Sequence, residues 1–252
     1  MKKSTLAALM IFISLLLILE GGQEILESDT YKTDRGDLMI TFVGHASLVL
    51  EFDGKVIHVD PFSRVWNYDD LPKADMIIIT HHHGDHLEPS LINSIRNSGA
   101  PLVLPALCSK EVENFTLMNN GDKKDIMGVK IEAVPAYNIV HKRESGDPYH
   151  KKGEGNGYIL TFGDKKVYIA GDTENTPEMK NLKNIDIAFL PMNLPYTMTE
   201  EMVADAALAF RPGILYPYHS RGSDTEKLIR LLEKEKGIKV LVRDFYKGMK
   251  KK

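Results

Sequence analysis

Apolar residues along the chain recur with two spacings, one typical of strands and one typical of helices. Near the start, apolar and polar positions alternate in short runs, and Asp53-Gly54 predicts a hairpin turn between two of them. The continuous apolar run D-M-I-I-I-T predicts a strand buried on both faces. Strands are predicted at 39–43, 47–52, 55–59, 75–80, 101–105, 129–134, 158–162, 166–170, 186–190, 214–218 and 239–242. Helices are predicted at 88–97, 109–114, 200–210 and 225–236.

Strands and helices are mixed along the whole chain, and the second half repeats the alternation of the first. This order predicts an α/β fold in which two sheets pack face to face with helices outside. A length of 252 residues is enough for one domain of this kind. We therefore assign residues 38–252 to one domain and the polar stretch 23–37 to a linker.

The amino terminus differs in composition from the rest of the chain. Two lysines precede an uncharged, apolar run over residues 6–19, which stops at Glu20. The core of a signal peptide needs about 7 to 15 apolar residues and a membrane-spanning helix needs about 20, so export is the better fit. Residues 1–22 are predicted to be a signal peptide or, if uncleaved, a signal anchor. The expected location is periplasmic or extracellular, with membrane contact only through an uncleaved segment.

Composition and charge narrow the classes of partner and site. Hydrophobic residues make up 43% of the chain and charged residues 27%, and the formal net charge is -3, which is ordinary for a globular protein. We expect a small-molecule substrate and no nucleic-acid partner. Cys108 is the single cysteine, so the chain cannot form an internal disulfide, and a metal site has to be built from histidine and carboxylate.

The stretch T-H-H-H-G-D-H at 80–86 concentrates metal-binding side chains directly after a predicted buried strand. Side chains alternate in an extended segment, so His81 and His83 point to one side and His82 to the other. Three adjacent histidines on their own are typical of an exposed loop that binds metal adventitiously. The buried strand before them and the other histidines and aspartates of the chain favour a real metal centre.

The remainder of that stretch indicates a second ion close to the first. Gly84 permits a sharp change of direction, after which Asp85 and His86 can turn toward a neighbouring ion. The order H-x-H-x-D-H therefore contains parts of two adjacent sites. Imidazole and carboxylate together favour Zn²⁺, with Mn²⁺ and Fe as alternatives that spacing does not separate.

The motif resembles the H-x-H-x-D-H signature of the metallo-β-lactamase-fold superfamily, and the resemblance extends over nearly the whole chain from Met39. V-Y-I-A-G-D-T, which ends near Asp172, resembles the segment with the family's bridging aspartate. L-Y-P-Y-H-S resembles the segment with its last histidine, here His219. Asp60 in V-I-H-V-D-P resembles an aspartate that supports the ligands. The resemblance implies a four-layer αββα sandwich.

The resemblance also implies a set of ligands for two ions. A histidine from the middle of the chain completes the first site. His150, shortly before a predicted strand, is favoured over His141, which lies in mid-loop. The implied ligands are His81, His83 and His150 for one ion, Asp85, His86 and His219 for the other, and Asp172 as the bridge between them.

Three further histidines are assigned from their local sequence. His45 follows a predicted strand, and we leave open whether it lines the pocket or forms a hydrogen bond with a ligand. His58, inside the strand V-I-H-V-D, is expected to be packed. His82 is expected to face away from the metal and to donate to the backbone.

Two bridged divalent ions would bind a water molecule as hydroxide, which would attack an electrophilic carbonyl carbon or phosphorus atom. Asp85 and His86 are the candidate catalytic residues, and Asp85 is placed to pass a proton to the leaving group. The segments G-H-A-S, P-A-Y-N, G-D-T and Y-T-M-T resemble the branch that includes ascorbate-6-phosphate lactonase and, more distantly, N-acylphosphatidylethanolamine phospholipase D. That branch implies hydrolysis of a small ester, lactone or phosphodiester. The alternative is a diiron oxidoreductase or a metal-binding protein on the same fold.

Overall fold

The computed structural model describes residues 25–247. The segment predicted to be a signal peptide, residues 1–22, lies outside the described residues. Between residues 25 and 247, none of the helices has both the length and the apolar character that crossing a membrane requires.

Within residues 25–247, fourteen strands form two sheets of seven strands each, and the chain completes the first sheet before it begins the second. The strands of the first sheet lie in sequence order, and they are β1 Ser28–Thr33, β2 Gly36–Gly44, β3 Ser47–Phe52, β4 Lys55–Val59, β5 Met76–Ile78, β6 Leu102–Leu104 and β7 Thr116–Leu117. The second sheet contains β8 Lys123–Ile126, β9 Val129–Ala136, β10 Gly155–Phe162, β11 Lys165–Ile169, β12 Ile187–Pro191, β13 Ile214–Tyr218 and β14 Lys239–Val240. Each sheet thus begins with antiparallel hairpins and ends in parallel strands.

The helices lie on the outer faces of the two sheets. In the described part of the chain, the α-helices are α1 Pro89–Ile95, α2 Pro177–Lys180, α3 Glu200–Phe210 and α4 Thr225–Leu232. One buried apolar cluster joins the two sheets, a second joins α2, α3 and α4 to the second sheet, and a third joins α1 to the first sheet. These three interfaces confirm the predicted four-layer αββα sandwich.

Six of the seven predicted metal-binding residues follow strands that end at the same edge of the sandwich, and His150 precedes β10, which is antiparallel to β11 and begins at that edge. β5 is parallel to β4 and leads into residues 80–86, while β2 leads to His45. In the second sheet, β11, β12 and β13 are parallel, and Asp172 and His219 come directly after the first and last of them. Carboxyl ends of parallel strands are the usual place for a site in such sheets, because loops from several strands meet there.

The structure corrects the prediction of a linker over residues 23–37, because residues 28–33 form β1. The strand was missed because S-D-T-Y-K-T is mostly polar, as suits the edge of a sheet. Asp29 holds β1 by two hydrogen bonds from the Arg243 guanidinium, at 2.9 and 2.8 Å, and Tyr31 contacts the Tyr216 hydroxyl. The polar edge strand β8 was missed for the same reason.

Two other predicted elements differ from the structure in kind or length. The predicted helix at 109–114 is a short 3-10 helix over Ala106–Lys110. The predicted helix at 225–236 ends at Leu232, where α4 ends. The short elements β7 and α2 were not predicted, because segments of two and four residues carry too little periodicity.

Gly171 brings the chain from β11 to Asp172 through a conformation that requires glycine. Its φ is +65°, and a Cβ atom there would lie 2.9 Å from the Asn156 carbonyl oxygen and 3.0 Å from Thr80 Cβ. This glycine therefore lets the second sheet approach the strand end that carries the histidine motif.

We expect Gly171→Ala to lower the free energy of unfolding more than Gly146→Ala does. Gly146 also has a positive φ, of +86°, but a Cβ atom there would meet nothing within 4 Å. Both variants carry left-handed strain of about 1–2 kcal/mol, and overpacking adds roughly 1–3 kcal/mol at Gly171 alone. Urea unfolding measures the difference, and equal losses in the two variants would contradict the close approach.

Candidate metal centre

Seven side chains from both sheets meet at the shared strand edge, with an eighth, His45, beside them. Within residues 25–247 they form three overlapping groups whose nitrogen and oxygen atoms lie within 4.8 Å of one another. The groups are His81, His83 and His150; His81, His86 and Asp172; and His45, Asp85, His86 and His219. The structure therefore brings together every residue of the ligand set implied by the sequence resemblance.

The first group consists of three imidazoles whose ring nitrogens point at one another. His81 Nε2 lies 3.1 Å from His83 Nδ1, and His150 Nε2 lies 3.2 Å from the same atom. His150, the favoured middle histidine, is therefore in the group. His141, the alternative, is directed elsewhere, and its Nδ1 contacts Glu174 Oε1 at 2.6 Å.

The hydrogen-bond partners of Nδ1 in His150 and His81 determine which nitrogen of each ring carries the hydrogen. Asn138 Oδ1 is 2.7 Å from His150 Nδ1, and as a carbonyl oxygen it only accepts, so Nδ1 carries the hydrogen. The Thr80 hydroxyl donates to Asp60 Oδ2 at 2.6 Å and is left to accept from His81 Nδ1 at 3.0 Å. The Nε2 atoms of His81 and His150 then carry no hydrogen and each presents a lone pair. Both face His83 Nδ1, which can donate a hydrogen to only one of them, and a cation bound between the rings would use both lone pairs.

The second group combines imidazoles with the Asp85 carboxylate. Asp85 Oδ2 lies 3.9 Å from His86 Nε2 and 3.8 Å from His219 Nε2. His45 Nε2 is 3.0 Å from the same oxygen, so it is placed to donate a hydrogen bond that orients the carboxylate. Of the two options left open for His45, the structure shows the contact with a ligand. The signal that marks it is V-G-H, a histidine directly after β2.

Asp172 stands between the two groups. Its Oδ2 is 3.5 Å from both His150 Nε2 and His219 Nε2, and its Oδ1 is 3.6 Å from His86 Nε2. The side chain is only 5% exposed. One carboxylate thus faces nitrogens of both groups, as a ligand shared by two cations would.

Buried polar atoms without a hydrogen-bond partner indicate whether a cation fits this centre. Among residues 25–247, His86 Nε2, His219 Nε2 and Asp172 Oδ1 are buried without any hydrogen-bond partner. An unpaired buried polar group costs about 1–3 kcal/mol, and here three such atoms converge. Imidazole and carboxylate are ligands that divalent transition metals prefer. The residues present therefore fit a bound metal.

Asp60, which the sequence resemblance predicts to support the ligands, lies fully buried beneath the histidine motif. It accepts from the Thr80 backbone N–H at 2.8 Å and from His86 Nδ1 at 2.8 Å. Because Nδ1 is committed to Asp60, Nε2 is the His86 nitrogen that faces Asp172 and that would bind a cation. Asp60 also has a positive φ of 43°, as do His45 at 54° and His219 at 44°, a backbone conformation that is uncommon for non-glycine residues.

Burial and the carboxylates set the protonation of the imidazoles. Burial holds the pKa of His81 well below its ordinary value and lowers the pKa of His150 to about 4. Burial also opposes protonation of His86, but the negative charges of Asp172 and Asp60 outweigh it and raise this pKa to about 9. The same negative charges favour a divalent cation at this position.

The remaining histidines lie outside the ligand groups. His58 is buried, as predicted, and its Nε2 lies 2.9 Å from the Pro72 carbonyl oxygen, to which it donates. His82 belongs to none of the groups found in residues 25–247. Its Nδ1 is buried without a partner among those residues, so the predicted donation to the backbone is absent at this nitrogen.

Known proteins share both the sequence and the fold. The family described as Beta-lactamase superfamily domain matches residues 39–219. A UPF0173 metal-dependent hydrolase from Methanopyrus kandleri is 30% identical over 194 residues, which cover 72% of this chain and 84% of the relative. A crystal structure from Parabacteroides distasonis, classed as a metal-dependent hydrolase, is 46% identical with a TM-score of 0.83, covering 87% of this chain and 99% of the other.

A more distant structure has the same architecture. Igni18, a metallo hydrolase from Ignicoccus hospitalis, is 26% identical with a TM-score of 0.68, and the match covers 83% of this chain and 96% of that one. The fold predicted from the histidine motif is thus confirmed by sequence and by structure. The chain belongs to the metallo-β-lactamase superfamily, within the UPF0173 metal-dependent hydrolase family.

Proposed function

We propose that the protein is a hydrolase that uses two divalent ions, with Zn²⁺ favoured over Mn²⁺ and Fe, to cleave a small ester, lactone or phosphodiester. The observation that carries this proposal is the sharing of Asp172 between two groups of inward-facing nitrogens. The names of the M. kandleri and P. distasonis relatives support the reaction class. His81, His83 and His150 would hold one ion, Asp85, His86 and His219 the other, and Asp172 both.

Two bound divalent ions would supply hydroxide near neutral pH and would polarise a substrate oxygen. The chain's own residues then orient the substrate and handle the proton. The Asp85 side chain is 40% exposed, whereas those of His86 and Asp172 are 0% and 5% exposed. Asp85 is therefore a ligand that substrate and solvent can reach.

We assign the proton transfer to Asp85 and only a ligand role to His86. His45 Nε2, 3.0 Å from Asp85 Oδ2, would hold the carboxylate in place while it accepts a proton and passes it to the leaving group. His86 was also a candidate catalytic residue. Its complete burial, with Nδ1 committed to Asp60, keeps it from the substrate.

We expect the protein purified without a histidine tag to contain about two zinc ions per chain and to hydrolyse a chromogenic phosphodiester or a lactone. A chelator should abolish turnover, and added Zn²⁺ should restore it, because the hydroxide depends on the ions. Elemental analysis measures the zinc content, and the activity assay measures turnover in the same preparation. Bound iron without hydrolysis would favour the diiron oxidoreductase, and a metal-free protein would contradict the ligand assignment.

Asp85→Asn is expected to lower kcat/KM by about 10²–10⁴-fold, because an amide cannot take up the proton. Thermal unfolding of the variant should stay close to that of the wild type, since Asp85 lies at the open side of the site. Asp125→Asn, which changes an exposed aspartate of β8, is the matched control and should keep full activity. A fully active Asp85→Asn protein would show that Asp85 carries no proton in the reaction.

A further inference from the structure

Two loops flank the metal centre, and each holds an asparagine against a ligand histidine. In the loop after β9, Asn138 accepts from His150 Nδ1 at 2.7 Å. In the loop after β12, Asn193 Nδ2 lies 3.5 Å from His219 Nδ1. The residues that follow these asparagines are therefore close along the chain to side chains that contact predicted ligand histidines.

The residues that follow are large, apolar and exposed. Ile139 is 46% exposed and Val140 is 65% exposed, while in the other loop Leu194 is 50% exposed and Tyr196 is 46% exposed. The loops are joined to each other, because Asn138 Nδ2 donates to the Tyr196 carbonyl oxygen at 2.9 Å. Together Ile139, Val140, Leu194 and Tyr196 form what we call the apolar rim.

The backbone under the first half of the apolar rim is fixed. The Glu174 carboxylate, fully buried, accepts the backbone N–H groups of Ile139 and Val140, each at 2.6 Å. It also accepts the N–H of His141 at 2.7 Å. These bonds fix the loop backbone in a conformation that leaves the Ile139 and Val140 side chains exposed to water.

We propose that the apolar rim binds an alkyl or acyl chain of the substrate, next to the bond that is cleaved. Exposed apolar side chains beside a polar reaction centre are the arrangement that an amphiphilic molecule matches, because burying its chain there removes apolar surface from water. This inference rests on the proposed function and narrows its substrate to esters or phosphodiesters with an apolar chain. A sugar-acid lactone would leave the rim exposed.

Two zinc-binding probes that differ only in chain length test the apolar rim in the zinc-loaded full chain. We expect hexanohydroxamic acid to bind at least about tenfold more tightly than acetohydroxamic acid, because the rim covers part of the longer chain. Val140→Ser and Leu194→Ser should each reduce this ratio to about threefold or less. Leu208→Ser, which removes a 41% exposed leucine of α3, should keep the wild-type ratio. Isothermal titration calorimetry measures the affinities.

The outcomes separate this inference from the function on which it rests. The apolar rim does not bind a chain if both probes bind the wild type equally well, or if the serine variants keep the wild-type ratio of the two affinities. Either result leaves the proposed metal centre unaffected. If neither probe binds, the proposed metal centre fails and the inference fails with it.

Glu174 carries a second, independent inference, which concerns the metal rather than the substrate. Besides the three backbone N–H groups, it contacts Asn138 Nδ2 at 3.2 Å and His141 Nδ1 at 2.6 Å. Asn138 in turn accepts from both the backbone N–H and the Nδ1 of His150, at 2.9 and 2.7 Å. We infer that Glu174 is a positioning residue, which holds Asn138 so that His150 presents its Nε2 to the first ion.

Replacing the Glu174 carboxylate by an amide should weaken binding of the first ion and leave binding of the second ion unchanged. Gln at this position places an NH₂ group against donors, and we expect Glu174→Gln to lower the Zn²⁺ affinity of one of two equivalents by about 10–100-fold. Titration against a chelating dye measures each equivalent. Asn138→Ala should give the same selective loss, and it keeps the inference testable if Glu174→Gln does not fold.

Glu178→Gln is the matched control, because Glu178 accepts from the Tyr137 hydroxyl at 2.9 Å and from Lys152 at 2.6 Å. Neither of those contacts involves Asn138, so both zinc affinities should stay unchanged in this variant. If Glu174→Gln or Asn138→Ala bound both equivalents of Zn²⁺ with the wild-type affinities, the positioning role of Glu174 would be wrong. A wild-type protein that binds no zinc would instead overturn the proposed metal centre.

Discussion

The site depends on the electrostatic relation between one buried carboxylate and the nitrogens that surround it. Asp172 lies within 3.6 Å of nitrogens from His86, His150 and His219, and its Oδ1 has no hydrogen-bond partner within residues 25–247. Buried charge is expensive unless it is paired, and buried lone pairs that face each other are also unfavourable. Divalent cations satisfy both at once. A bound metal would therefore stabilise this arrangement of side chains.

Support for these ligands comes from a layer of hydrogen bonds with defined donors. Asp60 and Asn138 each accept from Nδ1 of a histidine, His86 and His150, at 2.8 and 2.7 Å, and so direct the Nε2 atom of each ring into the centre. Asp60 lies in the first sheet's half of the chain and Asn138 in the second. Each half of the sandwich thus orients ligands of the shared centre, and the two sheets have to be packed correctly before the ions can bind.

The loop after β9 connects the chemistry to the surface. Its carboxylate anchor, Glu174, fixes both the asparagine that orients a ligand and the apolar residues that project into solvent. A single buried group therefore ties ligand geometry to the shape of the rim. His141, the alternative ligand from the sequence, belongs to this anchor instead, since its Nδ1 is 2.6 Å from Glu174 Oε1.

The sequence by itself determined the architecture and the chemistry of the centre. Buried strands such as D-M-I-I-I-T have a periodicity that local residues define, and the motif H-x-H-x-D-H with Asp172 and His219 reports the ligand types directly. Polar edge strands were missed, because β1 is held by pairing with β2 and by the contact of Asp29 with Arg243, 214 residues away. Only the tertiary structure placed His150 rather than His141 beside His81 and His83, placed His45 against Asp85 and showed the apolar rim. Those features depend on contacts between segments that are far apart in the chain, and a local sequence pattern does not show which distant segments meet.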